Sequence, residues 1–325
     1  MTTTIALPDS GNISGNRISS PPPPHIYVGM KADWLCSLLT LGASAEDYFI
    51  YRFYEKNWRT RKQFVTAWKS LFLIRHFNHA APEERRMVED KTIFAVEFRD
   101  YVRREILSSD GLEWDTFREF LRRLGRVIIK PAEGFNGNGV YILRDTDDAT
   151  LIQNAYGSFR TGRYVIEEVL EQDGFLREMN PATLNTIRVN VVRKDGSYRI
   201  QNAILRSGQG DVVTDNICAG GVVCEIDVES GLIMTPYCDL TGRRVLKHPL
   251  TGVVVLGRVI PAWESVKEAA LSAAKKISGV RYTSWDVAVI KGSNVAIVEG
   301  NTYGNFNIQQ VPRQEGILKQ YQELR

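Results

Sequence analysis

Cysteine and histidine are scarce, with four of each in 325 residues, and neither is arranged for chemistry. Cys36, Cys218, Cys224 and Cys238 form no C-x-x-C pair and no spacing that marks zinc or a small disulfide scaffold, so reduced thiols in a cytoplasmic protein are expected. His76 and His79 stand three apart, but His25 and His248 offer no obvious third ligand, which leaves them as satisfied or exposed side chains. No apolar run approaches the roughly 18 residues of a membrane span, and Met1 to Gly15 lacks the basic start and apolar core of a secretory signal. Charge of one sign is missing too. The 41 Lys and Arg nearly balance the 38 Asp and Glu, so nothing in the composition demands a nucleic-acid partner. What remains is a globular chain, 43% hydrophobic, long enough for two or three packed subdomains.

Residues 1–24 hold Thr, Ser, Gly and Asn and end in the run Pro21 to Pro24, a composition with too little apolar content to pack. They read as a disordered, dispensable leader. A helical region is expected over 25–87, where Phe64, Trp68, Leu71, Phe72 and Arg75 recur at steps of three and four, and where Pro82 opens a helix with Glu83 and Glu84 at its positive end. The basic cluster Arg52, Lys56, Arg59, Arg61 and Lys62, beside Tyr51, Tyr54 and Trp58, is expected to be a solvated face over an aromatic core. Beyond Arg126 the texture changes to short β-branched runs separated by Gly, Asn and Asp, with helical patterns around Thr146 to Tyr156 and Ala262 to Ile277. Several connections are too short for a crossover helix. The fold class is therefore α+β with largely antiparallel sheets.

Two segments carry chemistry. In the first, Lys130 closes the run Val127 to Lys130, and glycines at 134, 137 and 139 follow before the run resumes at Val140. Glycines let backbone N–H groups turn toward an anion, and a lysine at a strand end adds a point charge for phosphate. The loop lacks the G-K-[ST] ending of a P-loop, and a strand follows it in place of the helix of a dinucleotide-binding turn. It fits a flap over nucleotide phosphates, although a glycine-rich hairpin can also be only a turn.

In the second, the apolar runs Trp285 to Ile290 and Val295 to Val298 flank Gly292-Ser293, a two-residue loop suited to a hairpin. Counting outward from that loop pairs Ile290 with Val295, Ala288 with Ile297 and Asp286 with Glu299, and the two-residue period puts Asn301 on the face of Glu299. Opposed carboxylates repel, and a hard divalent cation, magnesium in preference to a transition metal, compensates them. The competing reading has one carboxylate held by an arginine.

Taken together, Lys130 before a glycine loop, the strand Tyr164 to Leu170 and the ordered set Asp286, Glu299, Asn301 resemble the ATP-grasp superfamily. The runs Leu184-Asn185-Thr186-Ile187-Arg188-Val189 and Asp215 to Gly221 are similar to its sugar-transfer associated branch, and the likeness covers about Val88 to the C-terminus. The resemblance implies two α+β lobes that sandwich ATP, a small lobe at 88–170 and a C-terminal lobe at 171–325, preceded by the helical region. It directs Lys91 and Lys130 at ATP phosphates, makes Gly134, Asn136, Gly137, Asn138 and Gly139 the flap, and assigns adenine to Glu167 with the Glu168 and Leu170 backbone. Asp286, Glu299 and Asn301 match magnesium ligands. Arg188 matches an arginine that faces the transferring phosphate, with Arg206 and Asn216 as further candidates. Where many relatives carry a Rossmann-like domain, this chain has the helical region.

The implied activity is an ATP-dependent ligase that activates a carboxylate as an acyl phosphate and couples it to an amine or other nucleophile. The substrates would be small molecules such as a sugar acid, an amino acid or a peptide, in polysaccharide or natural-product assembly. A phosphotransferase using the same nucleotide site, or a nucleotide-binding module without catalysis, remains an alternative at this stage.

Overall fold

A computed structural model describes residues 24–134, 138–208, 220–304 and 306–324. The expected leader, Pro24 excepted, lies outside the described residues, as do Asn136, Gly137, Asn216 and Cys218. Seven helices come first: α1 Pro24–Leu41, α2 Ala45–Ile50, α3 Trp58–Arg61, α4 Ala67–Asn78, α5 Pro82–Glu89, α6 Lys91–Glu97 and α7 Arg99–Val102. Local chemistry sets their starts. Ser44 and Asp47 form a reciprocal capping box at α2, Pro82 opens α5 with Glu83 and Glu84 behind it, and the Asp90 carboxylate accepts from the Thr92 and Ile93 N–H groups of α6.

The later helices are α8 Trp114–Leu124, α9 Ala149–Ser158, α10 Gly174–Met179, α11 Trp263–Lys275, α12 Asn307–Gln310 and α13 Leu318–Gln322. The strands are β1 Ile106–Ser108, β2 Arg126–Pro131, β3 Tyr141–Arg144, β4 Tyr164–Glu168, β5 Thr186–Lys194, β6 Ser197–Ser207, β7 Val222–Ile226, β8 Tyr237–Cys238, β9 Arg244–Val245, β10 Tyr282–Ile290 and β11 Asn294–Asn301. They build a four-stranded sheet, β1-β4-β2-β3, and a seven-stranded sheet, β11-β10-β5-β6-β7-β8-β9, with antiparallel pairing between neighbours. The expected α+β class with antiparallel sheets is what the chain adopts.

The small sheet packs Val127, Ile129 and Ile166 against Phe117, Leu121 and Ile152 of α8 and α9. The large sheet is covered on both faces. On one, Val189, Ala203, Trp285 and Val287 share a core with α11 and with Val88, Phe94, Phe98 and Val102 of α5 to α7. On the other, Ile204 and Val223 join Tyr48, Tyr51 and Phe64, while Val192 and Tyr282 join Leu73 and Phe77 of α4 and Tyr321 of α13. Helices α1, α2 and α4 therefore pack on one face of the large sheet, and α5 to α7 on the other.

Two expectations about the helical region change. Arg61 is not solvated: it is buried, its guanidinium lies over Phe53, and the α3 turn aims it inward so that its Nη1 donates at 2.6 Å to Asp33, which also accepts from the Tyr48 hydroxyl. On α4 the buried stripe is Leu73, Ile74 and Phe77, whereas Trp68, Leu71 and Phe72 are exposed. The apolar period is helical as expected, but it contains more apolar residues than one face can bury.

The β10–β11 hairpin corrects the expected register. Its loop has three residues, Lys291 to Ser293, with Gly292 at φ 73° and Ser293 at φ 59° in the left-handed region. Ile290 therefore pairs with Asn294 and Ala288 with Ala296, each one residue off the expected partner. A bulge between Asp286 and Val287 then restores the count, so that Asp286 pairs with Glu299 as expected.

Gly300 sits between the two donors Glu299 and Asn301. A Cβ there would lie 2.6 Å from Val88 Cγ1 and 2.8 Å from the Trp285 ring. Gly300→Ala is expected to cost about 1–3 kcal/mol through overpacking. Urea unfolding checks it; a midpoint unchanged from the parent would mean that α5 yields.

Candidate functional site

Register across the large sheet builds one ionic row. Asp286 pairs with Glu299 on one side and with Arg188 on the other, Arg188 pairs with Ile204, and Arg206 lies two residues further along β6 on the same face. The side chains meet accordingly. Arg188 donates through Nε to Asp286 Oδ1 at 2.7 Å and through Nη2 to Oδ2 at 2.6 Å, a bidentate fork, and Arg206 Nη1 donates to Oδ2 at 2.6 Å. Asp286 is buried, and burial alone would raise its pKa, but the two guanidinium groups outweigh this and hold the carboxyl well below the usual carboxylate range.

Glu299 is in the opposite condition. It is partly exposed, its Oε1 is 4.0 Å from Arg188 Nη2, and burial of its carboxyl together with the Asp286 charge pushes its pKa up. Asn301 Nδ2 lies 3.5 Å from Glu299 Oε1, so a flip of that amide turns its oxygen toward the carboxylates. Two carboxylates and an amide oxygen make a hard donor set that suits magnesium, and Glu299 has the repulsion that a cation relieves. The arginine-held reading fits Asp286, gripped by Arg188 and Arg206, whereas Glu299 has Arg188 Nη2 only at 4.0 Å and Asn301 Nδ2 at 3.5 Å.

The facing wall comes from the small sheet and α6. Lys130, near the end of β2, donates to Glu167 Oε2 of β4 at 2.6 Å, and Arg104 Nε donates to the same oxygen at 2.9 Å while its Nη groups reach the carbonyls of Ile297 and Val298 on β11. Arg104 and Glu167 thus tie the two sheets together beside the site. Lys91 begins α6; its N–H donates to Ala132 O and its Nζ to Gly134 O at 3.0 Å, which anchors the base of the glycine loop. Burial lowers the Lys91 pKa, opposed in part by the Glu299 charge.

The Glu167 carboxylate is therefore committed to Arg104 and Lys130 and not turned to a base, and the Glu168 N–H donates to Glu105 O at 2.9 Å. Leu170 lies beyond the end of β4. Burial alone would raise the Glu167 pKa, but the two cations hold it at about 2 against an ordinary 4.5. Because the folded value lies below the unfolded one, the pair's contribution is complete above pH 4.5 and is lost as pH falls toward 2. Acid titration of unfolding is expected to lose about 3 kcal/mol over that window, a loss absent from Glu167→Gln. The same acid sensitivity in the variant would contradict the assignment.

Between these walls lies a cleft of about 680 Å³. Both lysines, both arginines and all three oxygen donors line it, together with Gly134, Asn138 and Glu167; Gly139, Glu168 and Leu170 do not. Sequence reasoning missed Arg104, which sits in no motif, and it missed the part of the wall made by Ser44, Asp47, Ala67 and Ser70. The Ser44-Ala45-Glu46-Asp47 capping pattern was a readable signal for a helix start there, though not for its place beside the site. Among the described residues no group of three or more His, Cys, Asp or Glu side chains could hold a metal, and no helix is long and apolar enough to cross a membrane.

Several solved structures are similar to this chain. The ATP-grasp ligase PsnB, complexed with minimal precursor, Mg and ADP, is 16% identical over 92% of this chain and 72% of that one, with a TM-score of 0.47. The D-alanine-D-alanine ligase from Coxiella burnetii is 11% identical over 74% and 58%, at 0.45, and biotin carboxylase from Campylobacter jejuni is 15% identical over 74% and 47%, at 0.48. No curated protein matches. The family described as sugar-transfer associated ATP-grasp matches residues 82–325, three quarters of the chain and the whole of both sheets, and the chain belongs to that family.

Proposed function

We propose that this protein is an ATP-dependent ligase that activates a carboxylate as an acyl phosphate and couples it to an amine. The observation that carries this reading is the cleft in which two lysines on one wall face two carboxylates, an amide and two arginines on the other. On this reading residues 25–87 are an added helical region, 88–170 the small lobe and 171–325 the C-terminal lobe, with ATP between the lobes.

Lys91 and Lys130 would contact the nucleotide phosphates, with the glycine-rich loop as their flap. Asp286, Glu299 and Asn301 would hold magnesium, which supplies charge neutralisation at the transferring phosphate when bound. Arg188 and Arg206 fix the Asp286 carboxylate in place, so that the donor set is organised before any ligand arrives. Adenine would have to be read by backbone groups past β4 and by apolar walls such as Ile128 and Val298, since the Glu167 carboxylate is engaged. Enclosure of the reacting phosphate between the two walls of the cleft would exclude water, which protects a hydrolysable acyl phosphate.

The test is a screen of paired carboxylates and amines, scored by ADP release and product mass. Amide product with stoichiometric ADP supports the ligase; a phosphorylated product with no coupling, or nucleotide binding without turnover across the screen, contradicts it.

A further inference from the structure

The cleft extends well past the ionic row, and its far end is walled by the helical region. Asp286, Arg188 and Arg206 share their face of the large sheet with Ile204 and Tyr282, which pack against Tyr51, Phe64 and Phe77. The Tyr51 hydroxyl donates to Asn307 Oδ1 at 2.6 Å, holding α12, close after Asn301, against the end of α2. The side chain of Asp47 then ties the start of α2 to the first turn of α4 through the Ala67 N–H at 2.7 Å. The far end is thus a built wall, continuous with the candidate magnesium donors.

Resting on the ligase reading, we propose that this end binds the nucleophile as a cationic amine, on a molecule that carries no free carboxylate beside the amine. Charge is the first argument. Among the described residues the cations that line the cleft are Lys91, Lys130, Arg188 and Arg206, grouped about the candidate phosphate and magnesium groups, whereas the wall from α2 and α4 brings Glu46 and Asp47 with the hydroxyls of Ser44 and Ser70.

Asp47 supplies the second. It is only 3% exposed, its Oδ2 accepts from the Ser44 and Ala67 N–H groups, and among the described residues no ion pair reaches it. Lys69, the nearest candidate, donates its Nζ to the carbonyls of Lys62 and Phe64. Burial raises the Asp47 pKa, and its hydrogen bonds and the Lys69 charge offset this only in part, with no direct ion pair among the described residues. A cationic ligand in the adjoining cleft supplies what the protein does not.

The third argument excludes the opposite charge. The one N-terminus of a longer helix at this end, that of α4, is where a substrate carboxylate would otherwise dock, and Asp47 already takes its first N–H. A free amino acid would bring its carboxylate against Glu46 and Asp47. An amino acid amide, a peptide-like amine or an amino sugar would not.

The experiment loads the full chain with a non-hydrolysable ATP analogue and magnesium, then titrates glycinamide, alaninamide and glucosamine beside glycine, alanine and glucose, reading binding by calorimetry. At least one amine is expected to bind about tenfold more tightly than its free amino acid or neutral counterpart, and Glu46→Gln to weaken it about tenfold, as loss of one charged partner does. Ser70→Phe, which fills the far end, is expected to abolish amine binding with analogue affinity unchanged. Three results would overturn the proposal: no amine binding to the loaded protein, free amino acids binding as well as their amides, or Ser70→Phe binding amines like the parent. Failure of the analogue itself to bind would instead remove the ligase reading on which the proposal stands.

Discussion

Glu299→Gln is expected to lower magnesium-dependent turnover by roughly 10²- to 10³-fold, the scale on which loss of one preorganised electrostatic group acts on phosphoryl chemistry. The same change is expected to leave the metal-free fold no less stable than the parent near neutral pH. The sign follows from the site. Burial and the Asp286 charge raise the folded-state pKa of Glu299, so its protonated form stabilises the fold at low pH, and that contribution is lost as pH rises through the raised value. Glutamine removes the loss, because it carries no charge to oppose Asp286 across the strand pair. Turnover assays and urea unfolding without metal, both across pH, check the two halves. Undiminished turnover would show that Glu299 holds no metal, and a large loss of stability would show that it is a structural partner of Arg188.

Lys130→Ala is expected to weaken ATP binding about tenfold or more and to lower turnover by roughly 10²-fold, since a phosphate loses its point charge at the mouth of the glycine loop. The fold should survive this change for a reason visible in the ion pairs. Glu167 keeps Arg104 on the same carboxylate oxygen when Lys130 is removed, so no buried charge is stranded. Arg104→Ala is the informative contrast. It takes away the link to the Ile297 and Val298 carbonyls as well, and it is expected to destabilise the fold more than Lys130→Ala does. Nucleotide titration and thermal unfolding of the two variants separate a phosphate contact from a structural one; equal nucleotide affinity in parent and Lys130→Ala would remove the phosphate role.

Much of this site was legible because it depends on local register. Asp286 and Glu299 face each other as the hairpin predicted, although by a compensated route: the three-residue turn shifts every pair near the loop by one, and the bulge at Asp286/Val287 shifts them back. A bulge has no marker in that apolar run, so the intervening pairs could not have been assigned correctly. The pairing of Asp286 with Arg188 joins strands about a hundred residues apart, and no pattern in either segment announces it. The same holds for Arg104 on Glu167. Long-range partners of buried charges are set by packing of whole sheets, and a periodicity argument sees only the element to which a residue belongs.

The helical region shows the limit from the other side. Its helices were readable from their spacing and caps, yet Trp68, Leu71 and Phe72 point outward and Arg61 inward, the reverse of what composition suggests. Which face a helix buries depends on the surface it meets, here the Ile204 and Tyr282 side of the large sheet. That same contact brings Ser44, Asp47 and Ser70 to the cleft, a placement that chain order alone does not contain.

The central claim is that the cleft between the two sheets is a magnesium-dependent ATP site. Calorimetric titration of ATP into the full chain, with magnesium and then with EDTA in its place, tests it most directly. The account predicts saturable binding with one site per chain that weakens at least about tenfold without the cation, a dependence lost in Glu299→Gln. Binding of equal strength with and without magnesium in the parent, or no binding at all, would contradict it.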